Sequence, residues 1–119
     1  MTQREAALQE ACVKWFRLQF PKLARLLIAV PNGGSRHVAE AVNLKRQGVM
    51  KGAADLLLLV PSKNYGALAI EMKYGKGRQS TEQKKWQKDF EAAGNQYTVC
   101  YTIEEFISTI KNYLGYANR

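Results

Sequence analysis

The spacing of apolar positions changes several times along the chain, and each change marks an element. Between residues 3 and 20, Leu8, Cys12, Val13, Trp15, Phe16 and Phe20 recur at helical spacing, and Pro21 ends the run. Residues 25 to 30, Arg-Leu-Leu-Ile-Ala-Val, read as a strand, and residues 31 to 36 form a turn or loop rich in glycine. Residues 37 to 47 predict a helix with Val38, Val42 and Leu44 as its inner contacts and Gly48 as its C-terminal cap. Two apolar runs of strand length follow, Asp55 to Val60 and Ala67 to Lys73. The turn residues Pro61 to Gly66 separate them, which predicts an antiparallel hairpin. Ser80 and Gln83 have capping-box spacing ahead of a helix through Trp86 and Phe90 to Ala93, which Gly94 stops. Tyr97 to Tyr101 is rich in strand formers. Thr102 and Glu105 repeat the capping-box spacing before a last helix carrying Phe106, Ile107, Ile110, Tyr113 and Leu114. The element order αβ(α)ββαβα predicts an α/β fold without linker or repeat.

The hairpin carries the chemistry. Side chains alternate across a strand, so Leu68, Ile70 and Met72 face a core while Glu71 and Lys73 share the other face. If the turn is tight, Asp55 lies across from that end of the strand. Carboxylate oxygens suit hard divalent cations such as Mg²⁺ or Mn²⁺. A bound cation lowers the pKa of its water and offsets charge on a phosphate under attack. A neighbouring lysine orients or deprotonates the water. Asp55, Glu71 and Lys73 thus form a minimal kit for phosphodiester hydrolysis. The plainer alternative is a solvated strand face with a surface ion pair.

Charge and composition narrow the picture. Lys and Arg number 18 against 10 Asp and Glu, a net charge of +8, which points to a polyanionic partner, nucleic acid before membrane. With 46% apolar residues in 119, a packed core is expected. No stretch has the length and apolarity of a membrane span, and the first residues lack a signal peptide's apolar core. Cys12 and Cys100 have no metal-ligand spacing and read as buried thiols. His37, the single histidine, cannot build a zinc cluster or a Ser-His-Asp system alone, so any catalysis rests on carboxylates, lysine and metal.

The first helix holds two acids. Glu5 shares the stripe of Leu8 and Cys12, whereas Glu10 sits with Lys14 and Arg17 on the wet side. Glu5 is therefore a candidate third carboxylate, or else a first-turn acid that complements the helix dipole. Arg36, Lys45, Arg46, Lys51, Lys76 and Arg78 flank the site in sequence and are candidates for backbone-phosphate contact.

Several short motifs coincide in order. They are Asn32-Gly33-Gly34-x-Arg36, Leu44-Lys45-Arg46-Gln47-Gly48-Val49, Gly52-x-x-Asp55-Leu56, Ile70-Glu71-x-Lys73, and Gly77-x-x-Ser80-x-x-Gln83-x-x-Trp86, followed by Gly94. Together they resemble the VRR-NUC (virus-type replication-repair nuclease) family, a branch of the PD-(D/E)xK nucleases, over nearly the whole chain. The resemblance implies a restriction-endonuclease-like core, a mixed β-sheet flanked by helices, in a stand-alone domain spanning residues 1 to 119. It implies that Asp55 and Glu71 ligate the metal, that Lys73 serves the attacking water, that Gln83 completes the site, and that Glu5 corresponds to the family's first-helix acid. Ala54 stands where the family usually has proline, which bears on rigidity rather than chemistry.

By the same resemblance the expected activity is a Mg²⁺- or Mn²⁺-dependent DNA endonuclease acting on branched DNA as a homodimer. Its four-way-junction substrate would be nicked as by the Holliday-junction resolvases, in the cytoplasm of a bacterial or phage-infected cell. The alternatives are a basic DNA-binding module that cuts nothing and a nuclease acting on flap or duplex DNA.

Overall fold

The structure is a computed structural model and describes residues 1–31 and 37–116. Helix α1 spans Gln3–Gln19 and strand β1 Leu27–Ala29, with a single 3-10 turn at Ala24–Leu26 between them. Helix α2 spans Val38–Arg46, strand β2 Leu56–Leu58 and strand β3 Leu68–Met72. Helix α3 spans Thr81–Ala92, strand β4 Gln96–Cys100 and helix α4 Ile103–Leu114. The strands form one sheet in the order β1-β2-β3-β4. β1 and β3 both run antiparallel to β2, and β4 runs parallel to β3 through the α3 crossover. The sheet is mixed and flanked by helices, as the motif pattern implies.

The expected hairpin forms. Leu56 pairs with Ile70 and Leu58 with Leu68, which puts Asp55 across from Glu71. The alternation also holds. Leu68, Ile70 and Met72 are fully buried beneath α1 and α4 with Phe16, Phe106 and Ile110. On the other face Ala69 packs with Ala54 and Tyr97 under Trp86 and Phe90 of α3. Cys12 and Cys100 are free, buried thiols in the larger core. Burial pushes the Cys12 thiol up to about 12 and the Cys100 thiol up to about 11, so neither is a ready nucleophile.

Local chemistry sets the boundaries. Ser80 Oγ accepts from Gln83 N while Gln83 Oε1 accepts from Ser80 N, the complete capping box. Thr2 and Glu5 make a second one at the start of α1. At α4 the box is displaced by one residue: Thr102 Oγ1 accepts from Glu105 N, but the Glu105 carboxylate accepts from Tyr101 N. Gly115 closes α4 in the left-handed conformation, φ 83°.

Helix α2 departs from expectation. It buries no residue, and Val38 and Val42 are exposed rather than inner contacts. Leu44, half-buried, lies well over a quarter turn away from that pair at helical spacing. The three apolar positions therefore never formed one stripe.

Candidate functional site

Asp55 opens β2 from a buried approach. Gly52, Ala53 and Ala54 are all buried, and Ala54 sits in the smaller core. Gly52 has φ +90°, and a Cβ there would lie 2.5 Å from the backbone oxygen of Glu82. Only glycine lets this loop touch the first turn of α3. That contact ties the approach to Asp55 to the helix that carries Gln83. Ala54, where proline was the expectation, is held by packing instead of by a pyrrolidine ring.

The Asp55 side chain is buried, and its Oδ2 accepts from Met72 N at 2.7 Å. The bond replaces a ladder contact at the strand end and fixes the carboxylate beside β3. Glu71, 2% exposed, receives Gln83 Nε2 on Oε2 at 2.8 Å. Lys73 Nζ lies 3.5 Å from the same oxygen. A single Gln83 side chain thus makes two contacts: its oxygen caps α3 and its nitrogen holds Glu71.

Burial raises the proton affinity of both acids. Burial pushes the Glu71 carboxyl up to about 8. The charge of Asp55 and a proton shared with it add to the shift, and Lys73 opposes them. Asp55 is also raised by burial, against the pull of the Met72 amide and Lys73. With both acids ionised, Glu71 Oε1 is buried and accepts no hydrogen bond. Among the described residues the only other buried side-chain atom in that state is Gln9 Oε1. Both residues line one cleft of about 330 Å³, together with Glu5, Asp55, Lys73, Gln83 and the end of β1.

Glu5 reaches this cleft, and its charge raises Asp55. Its Oε1 also accepts from Thr2 N at 3.4 Å, so the third-carboxylate and capping readings coexist. Among the described residues, no three His, Cys, Asp or Glu side chains converge closely enough to hold a metal ion as a group. Glu5 therefore stands in the cleft wall, apart from the close pair Asp55 and Glu71. Glu10 is exposed on α1, outside the cleft.

The basic loop after β3 is closed by Gly77 N donating to Tyr74 O and by Tyr101 Oη donating to Gly77 O. A Cβ at Gly77 would lie 3.5 Å from Lys73 Cδ and 3.8 Å from Glu5 Oε2. Exposed Lys76 and Arg78 flank this point, at the mouth of the cleft. Lys51, next to Gly52, stands exposed beside the start of α3. Lys45 and Arg46 are exposed at the end of α2, and no contact brings them to the cleft. Arg36 lies outside the described residues.

Sequence reasoning gave no site role to three residues that shape the cleft and its surroundings. Gln9 follows Glu5 by one helical turn, a spacing that could have placed it in the same cleft. Gly52 was visible as part of Gly52-x-x-Asp55, but its contact with Glu82 was not. Tyr101 left no signal, because its hydroxyl acts across 24 residues.

The comparisons with known proteins agree with this fold. The chain is similar to a solved structure described as a VRR_NUC domain protein, at 26% identity and a TM-score of 0.83. The match covers 98% of this chain and 93% of that one. No curated protein matches. The family model for the VRR-NUC domain matches residues 2–103. The chain belongs to the VRR-NUC family, whose nuclease-type fold it carries.

Proposed function

We propose that this protein is a divalent-metal-dependent DNA endonuclease with its active site in the Asp55–Glu71 cleft. The observation that carries the reading is the buried Glu71 Oε1, unpartnered once both acids are ionised, set beside a second carboxylate and a lysine in an open cleft. Leaving such an oxygen without a partner is costly unless a cation or a proton answers it. Asp55 and Glu71 are hard oxygen donors, and a pair of carboxylates suits an ion that keeps several of its waters. These two would hold Mg²⁺ or Mn²⁺, and Glu5 lines the same cleft. Bound there, the ion would acidify a water and offset charge on the phosphate.

The remaining steps fall to the chain itself. Met72 N fixes Asp55, and Gln83 fixes Glu71, so neither carboxylate must reorganise during the reaction. Lys73 Nζ, held by Glu71, donates to the attacking water or to a phosphate oxygen. The water oxygen bonds to phosphorus in line with the departing sugar oxygen. The attacking water loses one proton to solvent, the P–O bond to that oxygen breaks, and the leaving alkoxide takes a proton from a solvent water. Lys76 and Arg78 at the cleft mouth, with Lys51 beside α3, would contact backbone phosphates.

Branched DNA is the expected substrate, because a symmetric pair of chains would present two clefts to a two-fold junction. Exposed Val38 and Val42 on α2 offer apolar area for such a pairing. The test is a cleavage panel of labelled four-way, flap and duplex DNA, with Mn²⁺ or with EDTA. The expected result is metal-dependent nicking, strongest on the four-way junction and lost in Asp55→Asn. Cleavage in EDTA, or full activity in Asp55→Asn, overturns the reading.

A further inference from the structure

We infer that the outer face of α3 is a docking ridge for the backbone of a DNA arm leaving the cleft. The inference rests on the nuclease reading above and assigns it a surface. Lys84, Lys85 and Lys88 are exposed, and helical spacing gathers them within about a third of the helix circumference. The opposite side, with Trp86 and Phe90, packs on the smaller core. Lys84 and Lys88 lie one turn apart, a like-charge spacing that opposes helix formation. Among the described residues the sole ion pair is Lys73 with Glu71, so none of the three lysines is paired directly with a carboxylate, although Asp89 and Glu91 lie near them on the helix. Such a stripe fits a polyanion.

The stripe is continuous with the cleft. The first turn of α3 carries Gln83, which holds Glu71. The basic loop runs straight into the helix and is clasped to it: Gln79 Nε2 donates to Gln87 Oε1 at 2.8 Å and to Tyr97 Oη at 3.0 Å. The catalytic reading makes no use of this clasp. It ties the residue after exposed Arg78 to the helix that bears the lysines. Lys51 joins through the contact of Gly52 with Glu82. From Thr81 to Lys88 the helix rises about 10 Å, enough to meet two or three phosphates of a duplex strand. Contacts of this kind carry affinity and orientation without reading sequence.

The experiment is fluorescence anisotropy of labelled four-way and linear duplex DNA, titrated in EDTA from low to moderate salt. The proteins are the wild type, a Lys84→Ala/Lys85→Ala/Lys88→Ala variant, its Lys→Arg counterpart, and Lys14→Ala/Arg17→Ala on α1 as a control. The expected result is a salt slope reduced by about 2 to 3 in the triple alanine variant, since each lost phosphate contact removes about 0.9. Its affinity falls roughly tenfold or more. The arginine version and the α1 control keep the wild-type slope. Single-turnover cleavage at saturating DNA and Mn²⁺ stays within about twofold, because the lysines act before chemistry. An unchanged slope in the triple alanine variant, with the wild type binding normally, overturns the ridge and leaves the nuclease reading standing. A wild type that binds no DNA overturns both.

Discussion

The two faces of the sheet are built to opposite ends. Beneath α1 and α4 lies a thick apolar core in which Phe16, Leu56, Leu58, Leu68, Ile70, Met72, Phe106 and Ile110 are almost wholly withdrawn from water. Beneath α3 the core is thin, made of two alanines and a tyrosine, and α3 itself has no buried residue. The same strand, β3, serves both faces. It places Leu68, Ile70 and Met72 on one side and Glu71 on the other. The lesson is a division of labour. One face supplies the stability that lets the other hold two acids close together, an arrangement that favours chemistry and opposes folding.

The largest expected effects separate the faces cleanly. Phe106→Ala, on the thick side, is expected to cost about 3–5 kcal/mol in urea unfolding, with cleavage per folded molecule unchanged. Glu71→Gln, on the thin side, is expected to do the reverse. Cleavage falls by roughly a thousandfold or more, because a ligand for the ion is lost. Stability, measured without metal, rises at alkaline pH. The folded-state pKa of Glu71 is about 8 against an ordinary value of 4.5, so the folded chain binds more protons between them. Wild-type stability is therefore full below that window and falls as pH rises through 8. Glu71→Gln removes the fall, a gain of about 1–3 kcal/mol at pH 9 in thermal or urea melts. A variant that loses activity and also loses stability at pH 9 would break the comparison.

Smaller effects sharpen it. Gly52→Ala sets a methyl against the Glu82 backbone at a positive φ. It is expected to cost about 1–3 kcal/mol and to slow cleavage, since Asp55 and Gln83 lose their shared support. Gln83→Ala removes half of a capping box and the donor to Glu71. It is expected to destabilise by about 1 kcal/mol and to weaken Mn²⁺ binding roughly tenfold, read by titration calorimetry.

The thick face was easier to read from sequence than the thin one. Alternation in Leu68-Ala69-Ile70-Glu71-Met72 settled which side was core, because strand period leaves no choice. The helix caps at Ser80 and Gly115 followed from local chemistry of the same kind. The candidate residues Asp55, Glu71 and Lys73 could be grouped in advance because they share one hairpin, and the family resemblance added Gln83, which opens the next helix. What stayed hidden depends on contacts across the chain. Gly52 matters through Glu82, Gln9 through a cleft shared with β3, and Tyr101 through Gly77. Helix α2 misled because Val38 and Val42 have helical spacing, and spacing alone does not show that anything lies opposite.

The most direct test is calorimetric titration of Mn²⁺ at pH 7, in two buffers of different ionisation enthalpy, with the wild type and an Asp55→Asn/Glu71→Gln variant. The account predicts binding to the wild type with release approaching one proton, because a cation displaces the proton that Glu71 holds below about 8. It predicts no such event in the variant. Binding of equal strength in both proteins, or none in the wild type, would contradict it.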